Sequence, residues 1–87
     1  MKVSFQRSSY EVVFTEHAKL QMSLRGLSDS DILDVIETGE VRTKSVENKF
    51  WVYKKLKGRK DNLISVSISI EDPHLIVITA MVNWRPQ

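Results

Sequence analysis

The 87-residue chain has no cysteine, only three glycines, two prolines and two histidines, and each shortage closes a route. Without cysteine there is no disulfide framework, no thiolate metal site and no thiol nucleophile. Three scattered glycines do not make a phosphate-cradling loop, and no nucleophile elbow is present either. A two-histidine metal site would need both His17 and His74 with carboxylates from distant segments, and no ligand spacing supports one. No cofactor or metal is therefore expected. No apolar run approaches the roughly 20 residues that cross a bilayer. The opening MKVSFQRSSYE lacks the apolar middle of a signal peptide, so no membrane partner and a cytoplasmic location are expected. A chain this short buries only about 60% of its unfolded surface, which predicts a single domain over residues 1–87.

What the chain does have is charge, unevenly spread. The formal net charge is only +2. Residues 1–40, however, hold four Lys/Arg against seven Asp/Glu, whereas residues 41–87 hold nine against four. Such a division predicts a polyanion-facing surface in the second half.

Periodicity assigns the elements. Residues 2–6 and 10–14, Tyr-Glu-Val-Val-Phe, read as short extended segments. Thr15 caps a first helix that runs to Arg25 and stops at Gly26. Ser28 caps a second, with Asp29 and Asp31 in its first turn, with Ile32, Val35 and Ile36 at helical spacing, and with Gly39 as its stop. Beyond Gly39 the period falls to two. Strands are predicted over 50–56, 63–70 and 75–82, with a weaker one over 41–46, joined by a turn at 71–74 and a hairpin connection at 58–62. In the strand 63–70, Ile64, Val66, Ile68 and Ile70 alternate with Ser65, Ser67 and Ser69, the pattern of a half-buried antiparallel strand. The expected fold is α+β, with two N-terminal helices on one face of an antiparallel sheet of three to five strands.

Two features point to chemistry. On a helical wheel, the polar row His17, Gln21 and Arg25 lies between the apolar rows Leu20–Leu24 and Ala18–Met22, so it is expected to face protein or a cleft rim. The run Lys54-Lys55-Leu56-Lys57-Gly58-Arg59-Lys60 straddles the predicted hairpin. Lys54, Lys55, Lys57, Arg59 and Lys60 are candidates for holding a nucleic-acid backbone, and Trp51 and Tyr53 for stacking unpaired bases. Arg85, beside Trp84, is a further candidate phosphate ligand, and Thr79 interrupts an otherwise apolar strand with a hydroxyl.

The stretch TEHAKLQMSLRGLSDSDILDVIETGE, residues 15–40, resembles domain of unknown function 4258, whose members open with a Thr-x-His-Ala helix, pass an Arg-Gly turn and enter an Asp-Ile helix ending in Gly. Ile76-Val77-Ile78-Thr79-Ala80 resembles the family's last strand. The resemblance implies the fold shared by barnase-like, colicin-like and RelE-type ribonucleases, many of which are RNA-cleaving toxins paired with an antitoxin. It assigns catalytic roles to His17, Arg25 and Thr79. Gln21 stands where members commonly have Arg, and Met81 where an aromatic residue is usual.

The expected activity is metal-independent RNA cleavage. His17 would be base or acid, Arg25 would hold the phosphate, Thr79 would position an oxygen, and the basic arm would draw in RNA, including ribosome-bound message. The alternative is a non-catalytic RNA- or protein-binding module on the same scaffold, which the changes at Gln21 and Met81 favour.

Overall fold

A computed structural model describes residues 1–86. The element order is β1 (Lys2–Phe5), β2 (Ser8–Phe14), α1 (Glu16–Arg25), α2 (Asp29–Thr38), β3 (Glu40–Thr43), β4 (Lys49–Lys55), β5 (Leu63–Glu71) and β6 (His74–Val82). The architecture is α+β, with six strands rather than three to five, in the order β1-β2-β6-β5-β4-β3. Neighbours are antiparallel except β2 and β6, which run parallel from Glu11 opposite His74 to Phe14 opposite Val77. A parallel pair needs a long crossover. Here everything from α1 to β5 serves as one, which is why local strand patterns did not announce the pairing.

The sheet curls. Phe5 of β1 and Phe50 of β4 meet edge to face at 5.3 Å, although three strands separate β1 from β4 in the sheet. Between them sits α2, which places Ile32, Val35 and Ile36 in the core. From β5 the core receives Ile64, Val66 and Ile68, and from β6 Leu75, Val77 and Ala80, all fully buried. Each buried aliphatic side chain of this size contributes about 1.5–3 kcal/mol.

Both helices begin where their caps predict. The Thr15 side chain accepts from the Ala18 amide, and Ser28 forms a reciprocal capping box with Asp31, so otherwise orphaned N–H groups are satisfied. At the other end of α1, Gly26 adopts φ +64°, a left-handed cap that costs glycine little.

The rotation of α1 departs from the helical-wheel expectation. Its Leu20–Leu24 row does not seek the core: Leu20 is 57% exposed and Leu24 71%. The cause is Thr15. Its backbone N–H donates to the Val77 carbonyl and its hydroxyl to the Ile78 carbonyl, so the helix starts pinned to β6 with Ala18 and Met22 facing inward. The polar row consequently lies at the border of the core, with His17 exposed and Gln21 and Arg25 half-buried.

Candidate functional site

Strand alternation gives the sheet a second face, opposite the one that carries the helices. Ser65, Ser67 and Ser69 form its central column. The sequence pattern makes them the solvent side of a half-buried strand, yet they are only 0%, 1% and 2% exposed. Cross-strand register supplies the covering groups. On β4, Lys49, Trp51 and Tyr53 stand opposite Ser69, Ser67 and Ser65; on β6, Thr79 and Met81 stand opposite Ser67 and Ser65; on β3, Arg42 and Glu40 flank Trp51 and Tyr53.

Each serine hydroxyl has a partner, as a buried hydroxyl requires. Lys44 donates to Ser67 and Lys49 to Ser69 at 3.3 Å. Ser69 in turn donates to Glu71 at 3.0 Å. Ser65 donates to the carbonyl of Trp84, because residues 83–86 leave β6 and cross this face. Trp84 packs on Trp51 at 4.6 Å between ring centroids, and the Lys44 ammonium lies over the Trp51 ring at 4.4 Å. Arg85 stands 5.9 Å over Tyr53, and Arg42 donates to the Pro86 carbonyl at 3.4 Å. A cleft of about 500 Å³ opens among Arg42, Lys44, Trp51, Trp84 and Pro86. A second, of about 270 Å³, opens among Glu40, Tyr53, Lys55 and Arg85.

The electrostatics of this face are unbalanced. Among the described residues the ion pairs are Met1–Glu11, Lys19–Glu16, Lys54–Asp34 and Arg59–Asp61. Arg42, Lys44, Lys49, Lys55 and Arg85 belong to none of them. Burial, and after it the neighbouring charge of Lys49, hold the Lys44 ammonium below the ordinary lysine range. A partly desolvated cation beside a like charge is the arrangement an incoming anion would relieve.

The residues singled out from the sequence are dispersed over the fold. Thr79, Lys55 and Arg85 lie on this face. Lys57 and Lys60 are exposed in the β4–β5 connection. Lys54 points the other way, toward α2, where it reaches Asp34 at 3.0 Å and Thr38 at 2.6 Å. Arg59 is held by two carboxylate contacts to Asp61 and donates to the carbonyls of Gly26 and Arg25 at 2.9 and 2.8 Å. It thereby closes the end of α1 and brings the basic loop against Arg25. Neither of these clefts is lined by His17, Arg25 or Thr79, and the described contacts do not unite these three in one site. Among the described residues no three His, Cys, Asp or Glu side chains gather to hold a metal ion, and no helix is long and apolar enough to cross a membrane.

Sequence reasoning passed over Arg42, Lys44 and Lys49. The signal was present in the alternation Lys49-x-Trp51-x-Tyr53-x-Lys55, cation, ring, ring, cation on one side of a strand.

The geometry of Arg59 makes a direct prediction. Arg59→Ala removes charged donors from two helix-end carbonyls and is expected to cost about 1–2 kcal/mol of stability, read by urea unfolding. The Arg59 hydrogen bond holds the Asp61 carboxyl below its ordinary range. A depressed carboxylate contributes stability above its unfolded pKa and loses it as pH falls through the folded one. The difference between wild type and Arg59→Ala should therefore shrink below the ordinary carboxylate range.

No curated protein and no solved structure matches the chain. Residues 14–82 match the family model described as Domain of unknown function (DUF4258). That span runs from the last residue of β2 to the last of β6 and takes in both capped helices, the serine column, Lys44, Lys49 and Thr79. Since the match covers well over half of the sequence, the chain belongs to the DUF4258 family.

Proposed function

We propose that the protein binds single-stranded RNA along the helix-free face of its sheet. The observation that carries this reading is the set of cations Arg42, Lys44, Lys49 and Lys55, placed around Trp51 and Tyr53 and engaged in none of the ion pairs among the described residues. From Lys49 to Lys55 the strand extends about 20 Å, the reach of several nucleotides rather than of one small anion. Backbone cations supply salt-dependent affinity for phosphates, and aromatic rings supply stacking that only unpaired bases can use. The ribonuclease fold group that the sequence resemblance implies would favour RNA over DNA.

Cleavage of the bound strand is the second reading, in the form of a metal-independent toxin held by an antitoxin. Thr79 favours it, because its register opposite Ser67 sets a hydroxyl in the middle of the same face. His17 and Arg25, to which the family resemblance gives the proton-transfer and phosphate roles, are carried on α1 outside that face, so this reading requires the strand to pass round the sheet edge to the helix.

Fluorescence anisotropy with a labelled single-stranded 12-mer tests both. Four phosphate contacts predict a log–log salt slope of about −3, with duplex RNA of the same sequence bound several-fold more weakly. Equal binding to duplex, or affinity indifferent to salt, would sink the first reading. Recovering the oligonucleotide intact after long incubation, and message likewise intact in cells induced to express the protein, would sink the second.

A further inference from the structure

We infer that the segment Asn83–Pro86 is a built-in competitor for the RNA face, occupying the place of a nucleotide until RNA displaces it. The inference rests on the RNA-binding reading and specifies how that site is regulated.

The chain leaves β6 at Asn83, whose φ of +56° is a left-handed conformation that asparagine tolerates better than most residues. The Asn83 amide still donates to the Leu63 carbonyl at 2.8 Å. Past that bond the ladder ends, and every described attachment of the segment is to a group of the proposed RNA face. The Trp84 carbonyl accepts from Ser65, the Pro86 carbonyl accepts from Arg42 at 3.4 Å, and the Trp84 ring packs on Trp51. Two acceptor oxygens and one aromatic plane are also what a nucleotide offers, through its phosphate or sugar oxygens and its base. With Trp84 and Lys44 both within 5 Å of the Trp51 centroid, that ring has little room for a base while the segment stays in place.

Two of the attachments, the Arg42 bond and the Trp84 ring, are weak enough to exchange. The bond from Arg42 is long, Trp84 is 37% exposed, and an aromatic pair contributes only modestly beyond its buried area. Releasing the segment would leave Ser65, Arg42 and the Trp51 ring to be satisfied by RNA instead, so the exchange swaps like for like.

The test compares the full chain with its Trp84→Ala variant, using the single-stranded 12-mer. The expected result is about tenfold tighter binding by the variant, equivalent to ~1.4 kcal/mol. In the unaltered protein, the near-ultraviolet circular dichroism of the coupled Trp51–Trp84 pair should fade as RNA is added, a readout that needs no variant. Weaker binding by Trp84→Ala would make Trp84 an RNA contact and overturn the competitor role. Equal binding by both proteins, with the tryptophan signal unchanged on saturation, would overturn it too while leaving RNA binding intact. Binding by neither would remove the RNA reading and the competitor with it.

Discussion

Lys44→Met combined with Lys49→Met is expected to weaken single-stranded RNA binding about 100-fold at low salt and to flatten the log–log salt slope by about 1.4, two phosphate contacts' worth. Methionine keeps the length and apolar stem of lysine while removing its charge, so packing against Trp51 is largely preserved. The same change relieves the cost of a partly desolvated charge but leaves the buried Ser67 hydroxyl without its donor, so thermal stability should change little. Burial disfavours the charged form of Lys44 and Lys49 opposes it further, so the folded protein holds this proton less tightly than the unfolded chain does. By linkage, stability rises with pH between the folded and unfolded pKa of such a lysine, and the charged form is the costly one below that window. A variant that melts as before and binds worse would mark the pair as retained for binding rather than for the fold. A variant that binds RNA as before would remove Lys44 and Lys49 from the interface.

The largest stability effect is expected at Gly39. A Cβ there would lie 2.5 Å from the Val35 carbonyl oxygen, 2.8 Å from that of Tyr53 and 3.1 Å from Cγ1 of Val52. The two nearest atoms are backbone, one in the last turn of α2 and one in β4, and neither can rotate away. Gly39→Ala should therefore cost about 3 kcal/mol or more, or leave the protein unfolded, as read by denaturant midpoint and far-ultraviolet circular dichroism. Gly26→Ala is the informative contrast. Nothing lies within 4 Å of its Cβ, so only the left-handed φ is penalised, at about 1 kcal/mol. If the two substitutions cost the same, the close approach of α2 to β4 is not what fixes glycine at position 39.

That contrast separates what local pattern carries from what it does not. Both glycines end helices, and both are legible as stops. Only at Gly26 is the stop a matter of backbone angle; at Gly39 the φ of −79° suits any residue, and the requirement comes from the Val35 carbonyl one turn back together with a strand that lies distant in sequence. The serine column behaves in the same way. Its period of two places Ser65, Ser67 and Ser69 on the face away from the core, as found, but the pattern cannot say that lysines, tryptophans and residues 83–86 then close over it. The basic run 54–60 was legible as charge, yet alternation turns Lys54 toward α2 and Arg59 is drawn to the end of α1. The exposed cations of the helix-free face come partly from β3 and its following loop, which only the register of β3 on β4 brings alongside.

The sequence by itself determined the caps, the two helices, the four strands that follow them, the α+β class and the basic bias of the second half. Each of these depends on residues within a few positions of one another, through side-chain periodicity, capping hydrogen bonds and composition. Tertiary structure alone decided the parallel pairing of β2 with β6, the curl that joins Phe5 to Phe50, the rotation of α1 and the gathering of Arg42, Lys44, Lys49 and Arg85 around two tryptophans. Those features rest on contacts between segments far apart in the chain, where burial and hydrogen-bond register, rather than local preference, select one arrangement.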